Sequence, residues 1–313
     1  MSKFYTNAVE YGNSILIRGY DRGRPFNEKI PYQPTMYLPS KRADAEWKDI
    51  RGLSLDPMPF ESMSEAKEFI KHYEEVSNFP IYGMPRFMYA YLNEEYPNEI
   101  VYDRELINVA YIDIEVSSEN GFPTVERASD VVTAITLKKD GIFHVWGYGD
   151  FTTNRNDVQY YQCNNEKELF IRFLSEWSNG YPDIVTGWNI TFFDIPYLVR
   201  RMSYIIGESE AKRFSPWKII KERRARTKFG KQETVYNLGG VATLDYLEMY
   251  QKFTYTKQET YKLDHIGFVE LGERKLTYDY ETLHEFYMND FQRFIEYNIR
   301  DVELVEKLDD KMK

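Results

Sequence analysis

Asn108-Val-Ala-Tyr-Ile-Asp-Ile-Glu-Val116 sets small and branched apolar residues around two acids, the pattern of a strand in a largely buried place. Residues two apart on a strand share a face, so Asp113 and Glu115 are expected to point the same way. Two adjacent buried carboxylates need a cation, whereas the same Asp-x-Glu on the wet face of an edge strand needs none. Taken alone, the tripeptide favours the solvated edge, and residues further along the chain have to shift that balance.

Composition narrows the class before any motif is weighed. At 313 residues the chain exceeds one ordinary domain, which predicts two units, each long enough for its own core. A hydrophobic fraction of 42% with 29% charged residues is that of a globular protein in water, and no apolar run is long enough to span a bilayer. Met1-Ser-Lys-Phe-Tyr5 does not open a signal peptide, so a cytoplasmic protein without a membrane partner is expected. Cys163 is the one cysteine, and His72, His144, His265 and His284 are too scattered for a zinc site. The formal net charge of -10 excludes a globally basic nucleic-acid coat, though it leaves room for a local basic track.

The first unit, residues 1–105, reads as a small α+β module. Short antiparallel strands are expected between Ser14 and Leu38, with an Asp-Arg-Gly-Arg turn between them. Ser62 with Glu65 forms a capping box, and Ala66, Phe69, Ile70 and Tyr73 recur at helical spacing behind it. Nothing in this unit amounts to a catalytic constellation.

The second unit, residues 106–313, opens on the strand at 108–116. Asp130–Lys138 and Ile142–Gly147, joined through Lys-Asp-Gly, read as a hairpin extending the same sheet. An amphipathic helix over Asn165–Trp177 then leads to the short strand Ile184–Trp188, a crossover that implies a mixed sheet. Asn189-Ile-Thr-Phe-Phe-Asp194 follows and puts Asp194 at a helix start, where an acid is most often a plain cap. From Trp217 to Lys231 the chain is basic through Arg223, Arg224, Arg226 and Lys228, as in an exposed hairpin with its tip near Gly230. Such a run is either a solvated face or a phosphate contact. A strand over Val241–Tyr246, a helix near Leu263–Leu271 and a long helix from Thr282 to Lys311 complete the expected elements. On the last, Phe294, Tyr297, Asp301, Leu304 and Leu308 share one stripe. An acid in that apolar stripe needs either a basic neighbour or the company of the other acids around a cation.

Asp-x-Glu on a strand, Asn-x-x-x-Phe-Asp at a strand-to-helix turn and Tyr-x-x-x-Asp on a closing helix, in this order, resemble the three exonuclease motifs of the tyrosine branch of the DEDD superfamily. The whole chain resembles the N-terminal and exonuclease domains of the replicative family B DNA polymerases of T-even-type bacteriophages. That resemblance implies an α/β architecture: an α+β module followed by a ribonuclease H-like domain with a central mixed sheet flanked by helices. It implies proofreading 3′→5′ hydrolysis of single-stranded DNA, with Asp113, Glu115, Asp194 and Asp301 as ligands of two Mg²⁺ or Mn²⁺ ions. Four oxygen donors without clustered His or Cys suit such hard cations. By similarity Asp113 bridges both ions, Glu115 and Asp301 complete one site, Asp194 holds the other partly through water, and Tyr297 orients the attacking water. Phe122, Asn189 and Phe193 are placed to contact a frayed 3′ end, and the basic hairpin matches one that moves the primer strand of a primer-template. The polymerising palm, fingers and thumb are expected elsewhere, in cis or as a separate chain. Two alternatives stand beside this: a non-catalytic module whose N-terminal part binds RNA or a partner protein, and a DEDD exonuclease acting on RNA.

Overall fold

The computed structural model describes residues 3–42, 44–117, 119, 121, 123–227 and 230–312, which form two compact units, Met1–Leu106 and Ile107–Lys313. Phe122 and Lys228, both expected to meet nucleic acid, lie outside the described residues.

In the first unit β1 (Lys3–Tyr11), β2 (Ser14–Asp21) and β3 (Arg24–Pro31) form an antiparallel meander. A second small sheet holds β4 (Thr35–Pro39), β5 (Trp47–Lys48) and β6 (Ser54–Pro59), and α1 (Met63–Tyr73) and α2 (Phe87–Glu95) follow. Ile15, Ile17, Met36, Met63, Ala66 and Phe87 close their core. The capping box is present with one displacement: Ser62 Oγ accepts from Glu65 N at 3.2 Å, but Glu65 Oε2 accepts from Glu61 N rather than from Ser62 N. Neither β1 nor α2 was expected. Arg86, at the N-cap of α2, makes no side-chain cap bond, so no start signal marks that helix.

The second unit is built on a six-stranded sheet in the order β10-β9-β8-β7-β11-β14. Its strands are β7 (Val109–Val116), β8 (Val132–Lys139), β9 (Ile142–Gly147), β10 (Val158–Gln162), β11 (Ile184–Gly187) and, later, β14 (Ala242–Asp245). β7–β8 and β8–β9 pair antiparallel, while β9–β10, β7–β11 and β11–β14 pair parallel, so the sheet is mixed as expected. Between these strands run α3 (Glu166–Ser178), α4 (Asp194–Ile205), α5 (Glu208–Ala211) and the antiparallel hairpin of β12 (Ile220–Arg226) and β13 (Gln232–Leu238). α6 (Tyr246–Phe253), α7 (Leu263–Leu271), α8 (Leu283–Asn289) and α9 (Phe291–Met312) close the unit.

Alternation along β7 decides which helices meet which face. Ala110, Ile112 and Ile114 pack with Leu169, Phe170 and Phe173 of α3 and with Ile195 and Leu198 of α4. The opposite face takes Phe294, Ile295 and Ile299 of α9, together with Val145 and Phe143 of β9. Asp113 and Glu115, out of phase with the isoleucines, therefore lie on the α9 side.

The single helix expected from Thr282 to Lys311 is two. Asp290 leaves helical geometry with φ -144 and ψ 65, and its Oδ1 accepts from Arg293 N at 3.2 Å, starting α9 anew. Short acids compete for backbone N–H groups in this way, and Asn289-Asp290 supplies the break. The run read as a strand to Tyr246 stops at Asp245, whose carboxylate accepts from Leu247 N and opens α6, an element absent from the expectation.

Candidate active site

β7, the start of α4 and the middle of α9 converge on a cluster of acids. One carboxylate oxygen each from Asp113, Glu115 and Asp301 lie within 4.8 Å of one another. Glu115 and Asp301 are only 7% and 4% exposed, so charge there is poorly hydrated. Burial raises Asp113 well above the ordinary carboxylate range, reinforced by Asp301, Asp194 and Glu115. Burial likewise lifts Glu115 to about 8, with Asp301 adding to the shift.

Asp194 is brought beside this group by a different contact. It is the first residue of α4, and Phe193 before it is the N-cap, so Asp194 does not hold the capping position that its place in the sequence suggested. Its Oδ1 instead accepts from Ile114 N at 3.0 Å. β11 pairs with β7 only as far as Tyr111, and Asp194 takes up a β7 amide beyond that limit. At Gly187 the two strands are so close that a Cβ would lie 2.4 Å from Ile112 O, which admits only glycine. Burial pushes Asp194 up to about 7.

Asp301 combines the two possibilities its stripe left open. Its Oδ2 is ion-paired with Lys275 Nζ, and its Oδ1 is buried with no hydrogen-bond partner among the described residues. Burial still lifts it to about 6, since one ammonium does not offset burial among several acids. Lys275 Nζ also lies 4.6 Å from the centre of the Tyr297 ring. Burial opposes the Lys275 charge, but Asp301, Tyr297 and Asp113 outweigh it and raise its pKa. Burial and then Asp301 raise the Tyr297 phenol, which therefore stays protonated at neutral pH.

Sequence reasoning named neither Lys275 nor the residues that hold the acids in place. Lys275 sits in an irregular segment between α7 and α8, where no periodicity draws attention to it. The need for a cation was legible; which cation was not. Asn298 Nδ2 donates to Asp113 Oδ2 at 2.7 Å, and its nearest signal was its place beside Tyr297. Asp245, 3% exposed, accepts from Asn189 N at 3.0 Å and Thr191 N at 2.9 Å. It thereby fixes the turn that carries Asn189, which has a φ of 67.

A cleft of about 840 Å³ is lined by Asn189, Phe193, Arg200, Arg226, Thr227 and Tyr261, among others. Phe193 is half-buried against Tyr197, with ring centres 5.6 Å apart. Of the basic hairpin, Arg226 reaches this cleft while Arg223 and Arg224 do not line it, and Arg223 Nε is instead given to Asn237 Oδ1 at 3.1 Å. Glu126, Glu233, Glu248 and Glu259 also line it, so its charge is mixed rather than basic. Asp113, Glu115, Asp194, Tyr297 and Asp301 are not among its lining residues.

The family model for DNA polymerase family B, exonuclease domain, matches residues 89–266, more than half of the chain. The chain belongs to DNA polymerase family B. The DNA-directed DNA polymerase of Enterobacteria phage T4 is 33% identical over 99% of the chain and 37% of its own length. That of Escherichia phage RB69 is 34% identical over the same shares. The DNA polymerase delta catalytic subunit of Candida albicans is 24% identical over 54% of the chain and 17% of its own length. The chain thus spans 37% of the length of the phage relatives. The family match ends before Lys275, Tyr297 and Asp301, which fall where the phage relatives still match. Among the described residues no helix is long and apolar enough to cross a membrane.

The shifts at the acids carry a pH dependence with a definite sign. With Asp301 at about 6, Asp194 at about 7 and Glu115 at about 8, the folded, metal-free chain retains protons that the unfolded chain has released above about pH 4. The unfolded state then binds fewer protons, so stability falls as pH rises through this window and levels off above it. Lys275 does not reverse the trend, because its own pKa is raised and it stays charged throughout. Melting without metal is expected to shift downward from pH 5 to pH 8, most steeply near pH 5 to 6, where the folded chain still holds nearly all of these protons, and less steeply toward pH 8. A melting temperature that rises over that interval would contradict the assignment of buried, proton-holding acids.

Proposed function

We propose that this chain hydrolyses single-stranded DNA from its 3′ end in a divalent-metal-dependent reaction, as the proofreading portion of a family B polymerase whose polymerising domains lie elsewhere. The observation that carries this reading is the convergence of Asp113, Glu115 and Asp301, with the buried, unpartnered Oδ1 of Asp301, in a chain of the exonuclease-bearing family. An orphaned buried carboxylate oxygen beside two more acids suits a hard cation of the Mg²⁺ or Mn²⁺ type, and among the described residues no histidine or cysteine joins the group to favour zinc. Bound there, such ions supply Lewis-acid stabilisation of the phosphodiester and of the leaving 3′-oxygen.

The protein's own groups do the rest. Asp113, Glu115 and Asp301 hold the ions, and Asp194, fixed by Ile114 N, stands beside them to complete the set. The protonated Tyr297 phenol, kept in place by Lys275 and by Tyr278 at 5.8 Å, orients a water rather than removing its proton. Asn189 and Phe193 on the cleft wall meet the terminal bases, the amide by hydrogen bonding and the ring by stacking, and Arg226 meets a phosphate. Arg223 and Arg224, exposed on β12, are left to contact duplex further out.

Incubating the chain with matched DNA and RNA single strands, with Mg²⁺ or with a chelator, tests the reading. Loss of DNA with Mg²⁺ and none with chelator is expected, and full activity in chelator would sink it. Tyr297→Phe is expected to lower kcat about tenfold to a hundredfold with KM for DNA nearly unchanged, because it removes orientation of water and not binding. Unchanged kcat would remove that role.

A further inference from the structure

The metal-site reading leaves unexplained what holds Asp113 in one orientation. We propose that Asn298 and Thr136 are positioning residues that fix the Asp113 carboxylate and determine which of its oxygens faces the ion; this rests on the reading of the acids as a metal site.

Thr136 of β8 stands directly opposite Asp113 in the antiparallel register, so the two side chains share a face of the sheet. α9 lays Asn298 over both, three residues before Asp301 and on the same side of the helix. Asn298 and Thr136 are both fully buried, at 0% exposure, and water does not compete for their polar atoms. Asn298 Nδ2 donates to Asp113 Oδ2 at 2.7 Å, and Thr136 Oγ1 donates to Asn298 Oδ1 at 2.5 Å. The chain of bonds has one direction. With an ion bound, Asp113 is an ionised carboxylate that only accepts, so the amide must turn its NH₂ toward Asp113 and its oxygen toward Thr136, and the hydroxyl, which can do either, has to donate.

Asp113 Oδ2 is therefore engaged by a neutral donor while Oδ1 is left for the ion. This differs from the hold on Asp301, where Lys275 brings a full positive charge. A neutral donor orients and stabilises the anion without adding a charge that repels an incoming cation. Without the Thr136 hydroxyl the Asn298 oxygen is left buried without this donor, which weakens the hold of the amide on Asp113.

The test uses the full chain and Mn²⁺ alone, titrated by calorimetry, with melting temperature and kcat measured alongside. Thr136→Val, which keeps the shape and removes the hydroxyl, is expected to raise the half-saturating Mn²⁺ concentration about tenfold to a hundredfold, as loss of groups behind metal ligands does. Asn298→Leu is expected to do at least as much, and Thr136→Ser, which restores the hydroxyl, to return close to the native value. KM for single-stranded DNA at saturating metal should not move. If Asn298→Leu does not fold, the Thr136→Val and Thr136→Ser pair carries the comparison. Native chain that takes up no Mn²⁺ would overturn the metal-site reading itself. Native uptake with an unchanged half-saturation in Thr136→Val, whatever its melting temperature, would overturn the positioning role alone.

Discussion

Glu115→Gln is expected to stabilise the metal-free protein at pH 8 and, in the same molecule, to lower hydrolysis of single-stranded DNA by about a thousandfold. Glu115 is 7% exposed, its pKa is pushed up to about 8, and no hydrogen bond or ion pair of its carboxylate offsets that burial among the described contacts. Ionising it beside Asp301 costs free energy, and an isosteric neutral amide avoids that cost. The gain should be largest at pH 8 and above and should fade only toward about pH 4, where the glutamic acid is neutral in the folded and the unfolded chain alike. Catalysis moves the other way. A metal ligand contributes several kcal/mol of transition-state charge stabilisation, and about 4 kcal/mol corresponds to ~10³ in rate. A variant both less stable and inactive would point to a merely structural Glu115; one more stable and fully active would detach Glu115 from the chemistry.

Millimolar Mn²⁺ is expected to raise the melting temperature strongly, with the increment growing from pH 6 to pH 8. An ion bound only by the folded chain stabilises it by about 2.7 kcal/mol at a hundredfold excess over Kd. For a unit of this size that corresponds to roughly 5–10 °C. Bound ions favour ionised carboxylates, so the proton-holding acids must release protons as metal enters, and calorimetry in two buffers of different ionisation heat should detect the release. Replacing Asp113 and Glu115 together with alanine should remove the increment. An equal increment in that double variant would place the bound metal somewhere else.

These effects turn on residues that differ in how far sequence exposed them. Asp113 and Glu115 were legible because β7 alternates around them, and α3 because its apolar residues recur at helical spacing with clear limits. The β12–β13 hairpin was legible from its turn near Gly230. The split between α8 and α9 was not, since an amphipathic stripe passes smoothly through Asp290 and the break depends on a local carboxylate-to-amide bond. Asp194 was found but its bond was not, because the partner amide of Ile114 is freed only where β11 stops pairing with β7. Lys275 escaped for a related reason. Its meeting with Asp301 and Tyr297 depends on the path of an irregular segment after α7, and no pattern in one dimension encodes that approach.

The most direct measurement uses one single-stranded oligonucleotide carrying different labels at its two ends, incubated with the full chain and Mg²⁺ and sampled from the first turnover. The 3′ label should appear as mononucleotide at once, while the 5′ label remains on a ladder shortening one nucleotide at a time; chelator or Glu115→Gln should suppress both changes. Immediate release of the 5′ label, internal cuts without a ladder, or the same ladder in the presence of chelator would contradict a metal-dependent 3′→5′ exonuclease built on Asp113, Glu115, Asp194 and Asp301.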